Sequence, residues 1–424
     1  MSPSLVLIIA GALLVGGIVC LRPRRGPSLP PGPPAHPLTG HFLLMPTRSV
    51  ATTFHEWSKA YGDVMYLQVL GRRMVILDSH AAAVELLDKR GAVYSDRPKC
   101  TLYELLGWNP SLTFLPYSQF GKQRQMHQSY LGRQRVEEIK TVQTQEARIL
   151  LRNLFDCKPD QYENYISRLA TGIITHLVAG HRITADDDVY LRLSHELAQA
   201  TAKAGQPGNS PVDFLPWLQY FPAWFPGAGL MGVVREYTEI FQELYEYPLR
   251  AVREQQERGD AMPSFLLDQM EHTQEGEDEL QLKGAAATMF GAGESTTWTV
   301  ISTFILAMVL HPECQARAQE EIDSVLGKDL SRLPDFEDRQ NLPFVECILQ
   351  ETLRWNPPLP MGVPHRVIKD DIYRGMFIPQ GSLVFSNIRG IGIDENVYSN
   401  PSTAFCPFLG SFAFFRLGLA RGII

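Results

Sequence analysis

Between Lys283 and His311 the only charged residue is Glu294; almost everything else is small or apolar, and Pro312 follows at once. The run predicts a single buried helix of roughly 40 Å, because an α-helix rises about 1.5 Å per residue and proline supplies a stop. Its centre, Gly291-Ala292-Gly293-Glu294-Ser295-Thr296-Thr297, is a poor choice for helix stability. Each interior glycine costs about 1 kcal/mol against alanine, and Ser and Thr hydroxyls compete for backbone groups. Three structures would accommodate such a segment. A membrane span is long enough, but a mid-span carboxylate is costly without a partner. A plain core helix would use the small residues for close packing. A helix bordering a cavity would use the glycines for close approach to its backbone, and Glu294 with its neighbouring hydroxyls for proton transfer.

The rest of the chain narrows the setting. With 424 residues and 45% hydrophobic content it can bury a large core. No repeat or long linker divides it after residue 50, which predicts one large unit. A net charge of -7 offers no basic field for nucleic acid. The six cysteines, Cys20, Cys100, Cys157, Cys314, Cys347 and Cys406, form no C-x-x-C pair. Their scatter points to a reducing compartment and to no metal site built on cysteine pairs.

Downstream of the long helix comes Glu351-Thr352-Leu353-Arg354, with Pro357-Pro358 ending the segment. The i,i+3 spacing puts carboxylate and guanidinium on one helical face. Gly362-Val363-Pro364-His365-Arg366 and Ile378-Pro379-Gln380-Gly381 follow. Taken in order, these motifs resemble the haem-thiolate monooxygenases, the cytochrome P450 family, in its microsomal, fungal-type form. The resemblance runs from the N-terminus to about Pro407. It implies a mainly α fold with small β-sheets, a haem iron cofactor, an apolar small-molecule substrate, and electrons from NADPH through a flavoprotein reductase.

At the N-terminus, Leu5 to Leu21 is an apolar run followed by Arg22, Arg24 and Arg25. Its length approaches that of a membrane span, and positive charge on its far side predicts a retained anchor with the remainder cytosolic. Within the family that location is the endoplasmic-reticulum membrane. Pro27-Ser28-Leu29-Pro30-Pro31-Gly32-Pro33-Pro34 cannot be helical and predicts a stiff extended spacer. The expected division is therefore an anchor over 1–25, a proline-rich hinge over 26–40 and a catalytic domain over 41–424.

Within that domain, Val64 to Leu70 and Met74 to Leu77, with Gly71 between them, predict a hairpin. Asp78 or Ser79 should cap a helix that Gly91 ends. From Pro211 to Gly227, prolines interleave with Phe214, Trp217, Phe221, Trp224 and Phe225, which forbids a regular helix and suits a membrane interface. By resemblance, Tyr94-Ser95-Asp96-Arg97-Pro98 leads into a substrate-covering loop reaching about Pro116, with Leu102, Leu105, Leu106 and Trp108 as apolar lining.

The resemblance also assigns roles. Glu294, Ser295 and the alternate Thr296 would deliver protons during oxygen activation. Arg366, beside His365, would meet a haem propionate, as would Arg124, although Phe120-Gly121 stand where the family has Trp-Arg. Glu351 and Arg354 would form a core ion pair. The family's closing Phe-x-x-Gly-x-Arg-x-Cys-x-Gly loop, whose thiolate binds the iron, is missing. Laying Phe415 and Gly418 on that pattern puts the ligand position on Gly422, and Cys406 follows no such motif. No metal ligand is therefore assigned, and a catalytically inactive, C-terminally incomplete member, holding at most apolar ligands, is the competing expectation.

Overall fold

In the computed structural model, residues 27–272, 276–327, 332–398, 400–401 and 405 are described. The expected anchor, Cys406 and the positions compared with the cysteine loop lie outside them.

The first ordered elements build a small sheet. Helix α1 (Val50–Tyr61) precedes β1 (Val64–Val69) and β2 (Arg72–Leu77), an antiparallel hairpin in register Val64↔Leu77. Its two-residue turn needs two positive φ angles, at Leu70 (48°) and Gly71 (86°). Glycine meets that demand without strain, whereas Leu70 adopts it at a cost. The Ser79 hydroxyl caps the next helix by accepting from the Ala82 N–H at 3.2 Å. That helix continues through Val84–Lys89 and breaks at Arg90, just before Gly91, which opens a further short helix, Gly91–Tyr94.

A run of long helices follows: α2 (Gly121–Tyr130), α3 (Arg133–Phe155), α4 (Tyr162–Ala179), α5 (Val189–Ala204) and α6 (Leu230–Arg258). Between α5 and α6 the proline-rich aromatic stretch forms only the short helix Pro211–Phe214 and a 3-10 turn, Pro216–Tyr220. Trp217, Tyr220, Phe221 and Trp224 are exposed there, and Phe221 contacts Phe225 with ring centroids 4.3 Å apart.

The long helix of the sequence is α7 (Glu277–Leu310). It starts earlier than the apolar run because Glu277, Asp278 and Glu279 occupy its first turn, where acidic side chains complement the helix dipole. By length and composition α7 is the one described helix that could cross a membrane. It packs against α2, α4, α6 and α9 (Pro343–Trp355), which makes it the central helix of the domain. Its N-terminal half is buried through Leu282, Ala285, Ala286, Ala287, Met289 and Phe290. Helix α8 (Pro312–Leu326) begins directly after it, with Pro312 in its first turn.

The chain then returns to the sheet. Strand β3 (His365–Arg366), the separate hairpin β4 (Asp371–Tyr373) and β5 (Met376–Ile378), and β6 (Leu383–Ser386) lead to α10 (Ile388–Gly392). The four-stranded order is β1-β2-β6-β3, with β2 and β6 parallel. β1 and β3 are thus edge strands, and each edge is covered.

On the β1 side the proline-rich segment, expected as a spacer, runs along the strand. The Tyr66 N–H donates to Pro31 O at 2.9 Å and the His41 N–H to Gln68 O at 2.6 Å. The buried His41 ring completes the clasp: Nδ1 accepts from the Gln68 N–H at 2.8 Å and Nε2–H donates to Pro33 O at 2.8 Å. On the β3 side the Arg366 N–H donates to Asp96 O at 2.7 Å.

Candidate functional site

The site is built on one face of α7. Ala292 and Ser295 are exposed there, and Thr296 is half-buried beside them. Three successive hydroxyls turn back on the helix: Ser295 Oγ donates to Gly291 O at 3.1 Å, Thr296 Oγ1 to Ala292 O at 2.7 Å, and Thr297 Oγ1 to Gly293 O at 2.7 Å. Each oxygen keeps lone pairs facing outward.

The glycines do admit close neighbours, and those neighbours are side chains and backbone of this chain. The Trp108 indole occupies the space beside Gly291, Ile174 of α4 sits against Gly293, and Pro110 O crowds Gly284. Thr288 Oγ1 also accepts from the Leu112 N–H at 2.9 Å. The loop from residue 95 to 116 is thereby fastened to α7 at one end. At the other end Asp96 pairs with β3. Of the expected apolar lining, Leu102 and Leu106 go into the core, Trp108 is buried on Gly291, and Leu105 is half-buried.

Glu294 leaves the exposed face and is itself buried at 4% exposure. Ser167 Oγ of α4 donates to its Oε1 at 3.4 Å, and the buried Ser194 hydroxyl of α5 lies beside the carboxyl. Burial pushes this carboxyl above the usual range, while the two hydroxyls pull it back. No cation offsets the burial among these contacts.

On β3, the buried His365 ring donates from Nδ1–H to Tyr94 O at 2.8 Å, and its Nε2 has no partner. Burial, then the Arg97 guanidinium, hold this imidazole down at about 3. Arg97 Nη1 donates to Val363 O at 3.2 Å and Pro364 O at 3.0 Å, and burial lowers its pKa to about 10, so it stays cationic at neutral pH. The half-buried Arg97 guanidinium is a ready anion site; the neutral His365 ring presents only an acceptor at Nε2 and would join it by taking a proton there.

Arg366, the strand residue singled out in the sequence, is engaged elsewhere. Its Nε donates to Asp96 Oδ2 at 2.6 Å and its Nη2 also reaches that oxygen, while Asp96 Oδ1 accepts from the Tyr117 N–H at 2.8 Å. Arg124 is exposed on α2 and makes no ion pair among the described residues; Lys122 of the same helix pairs with Asp278. The sequence signals Tyr94-Ser95-Asp96-Arg97-Pro98 only as a segment and does not single out Arg97 as a cation of the site. Nor does it single out Ser167 and Ser194.

Glu351 and Arg354 are both 3% exposed and meet bidentately, Nε to Oε2 and Nη2 to Oε1, each at 2.7 Å. Arg354 Nη1 reaches Gly392 O at 2.5 Å and Pro401 O at 3.1 Å, tying α9 to α10 and the segment beyond.

A central helix carrying an acid and three hydroxyls, packed among long helices and joined to a small sheet, defines a mainly α architecture with small β-sheets. The chain belongs to the cytochrome P450 family, whose model matches residues 30–407. It is 36% identical over 409 residues to cytochrome P450 monooxygenase 176 of Postia placenta, covering 94% of this chain and 78% of that protein. A cytochrome P450 monooxygenase of Armillaria gallica is 34% identical over 412 residues, 95% of this chain and 80% of that one. Cytochrome P450 monooxygenase claT of Ampulloclitocybe clavipes is 34% identical over 382 residues, 89% and 74%.

Proposed function

We propose that this chain is built to oxygenate an apolar small molecule with haem, dioxygen and electrons passed from NADPH by a flavoprotein reductase. The observation that carries this is the Arg97 guanidinium, which is held beside β3 by the Val363 and Pro364 carbonyls, stays cationic at neutral pH and fits a haem propionate. Haem, when bound, supplies the iron centre for dioxygen activation. Arg97 would hold its carboxylates, His365 would join it only by taking a proton at Nε2, and Arg124 offers a further cation from α2. Arg366 acts indirectly by fixing Asp96, which positions the start of the covering loop. Glu294 stores a proton. Ser295, with Thr296 as alternate, passes it on by swinging its hydroxyl off the helix carbonyl. Trp108 and its loop exclude water from that side. An anchor over Leu5 to Leu21, with the aromatic stretch around Trp217 to Trp224 at the lipid surface, places the domain on the cytosolic side of the endoplasmic reticulum. Protease added outside sealed microsomes should digest the domain; full protection would refute that orientation.

A second reading has one observation in its favour. The 424 residues contain no Phe-x-x-Gly-x-Arg-x-Cys-x-Gly segment. These residues alone should therefore bind little haem with thiolate ligation and lack monooxygenase turnover, holding at most apolar ligands. The test is the spectrum of the reduced, carbon-monoxide-bound protein, with Cys406→Ser as control. Adding such a segment after about Pro407 should produce the thiolate-type spectrum and turnover. A thiolate-type spectrum from the unmodified chain that disappears in Cys406→Ser would make Cys406 the ligand and overturn this second reading.

A further inference from the structure

Glu294 stands one residue from the exposed hydroxyl of Ser295, yet its own carboxyl is turned into the contact between α7, α4 and α5. Its partners there differ in access. Ser194 is 0% exposed, and its oxygen accepts from Thr171 Oγ1, also 0% exposed, at 3.0 Å. That side is closed. Ser167 is only half-buried, and its hydroxyl bonds Glu294 Oε1. That side leads toward solvent.

We propose that Ser167 is the proton entry to Glu294, and that Ser194, steadied by Thr171, is the closed bracket that holds the carboxyl while it is recharged. This rests on the reading of Glu294 as the proton store for Ser295. The balance is simple. The Glu294 side chain turns toward Ser295 and gives its carboxyl proton to the Ser295 oxygen as that hydroxyl passes its own proton outward; turned back, the carboxylate takes the Ser167 hydroxyl proton in the same step in which the Ser167 oxygen takes one from an acid in solvent. One proton has crossed α7 and every group is as it began. The absence of a cation among the carboxyl's contacts suits this, since a fixed positive charge would hold Glu294 ionised and stop the cycle. Ser167, Ser194 and Thr171 are positioning and relay residues; none is placed against substrate or cofactor.

The test needs no haem, so it can fail separately from the proton-donor reading. In infrared difference spectra of the 424-residue protein, the band lost in Glu294→Gln identifies the protonated carboxyl. It should persist above the ordinary glutamate range. Ser194→Ala should move its titration midpoint upward by about half a unit to one unit, because a donor to the anion is gone, and Ser194→Thr should restore it. Ser167→Ala should slow exchange of the carboxyl proton into heavy water by at least about tenfold. Should Ser194→Ala fail to fold, Ser194→Thr against Thr171→Val makes the same comparison. An ionised Glu294 at neutral pH would overturn the proposal. So would a midpoint unmoved by the Ser194 and Thr171 changes, or exchange unmoved by Ser167→Ala, either of which reduces the serines to a structural brace.

Discussion

The indole of Trp108 fills the space that a side chain on Gly291 would occupy. A Cβ built there would come 2.5 Å from the indole Cη2. The glycine in the middle of α7 is thus the seat of the loop over 95–116, and its helical cost is offset by this contact. Gly291→Ala should destabilise the fold by about 1–3 kcal/mol through overpacking. Combined with Trp108→Ala, the two losses should fall well short of additive in denaturant melts. Strict additivity would show that the contact carries no coupling.

Removing one partner of the Glu351–Arg354 pair leaves a charge buried without compensation. Glu351→Ala should cost about 3–5 kcal/mol. A variant that expresses and melts like the parent would show that the pair is dispensable.

His365 gives stability a pH slope of definite sign. Its folded value is about 3, below the ordinary imidazole value of 6.5, so the unfolded chain binds the extra proton first as pH falls. Stability should decline below about pH 6.5 by up to roughly 1.4 kcal/mol per unit until pH nears the folded value. His365→Leu should remove that slope. An anion seated beside Nε2 should also raise the His365 titration, readable by NMR with and without haem.

His55 has the opposite sign. Its Nδ1 meets Asp78 Oδ2 at 2.7 Å, and this hydrogen bond raises its pKa above 6.5 despite burial, with Asp394 adding to the rise and Lys59 opposing it. Asp78 also accepts from Ser58 at 2.6 Å and from Asn387 at 2.5 Å, so the pair joins α1, β2 and the start of α10. The contribution is present in full below pH 6.5 and is lost as pH rises through the folded value. Melts of the parent and His55→Gln should differ most at acid pH and converge as pH rises; a constant difference would dismiss the ion pair.

The sequence carries local structure and sequence-near pairs well. The hairpin is legible from Gly71, and the Glu351–Arg354 geometry from its i,i+3 spacing, since both depend on neighbours a few residues away. What spacing could not give was burial, because that depends on where α10 and Pro401 come to rest. Arg97 escaped notice because its partners are the backbone carbonyls of Val363 and Pro364, and no side-chain pattern announces a backbone acceptor. Arg366 attracted attention by residue type, yet Asp96, far away in sequence, claims its guanidinium. Glu294 was visible as the lone charge of α7. The direction it faces was set by Ser167 and Ser194 on two other helices.

The clasp of His41 on β1 gives the fold a mechanical property. A load arriving along the proline-rich segment is borne first by the hydrogen bonds to Tyr66 and Gln68, and so by the same sheet whose far strand carries His365. Those bonds also occupy backbone groups on a strand edge that would otherwise be free to pair with another chain. Tension and self-association are resisted by one set of contacts, and a chain begun after His41 would surrender both.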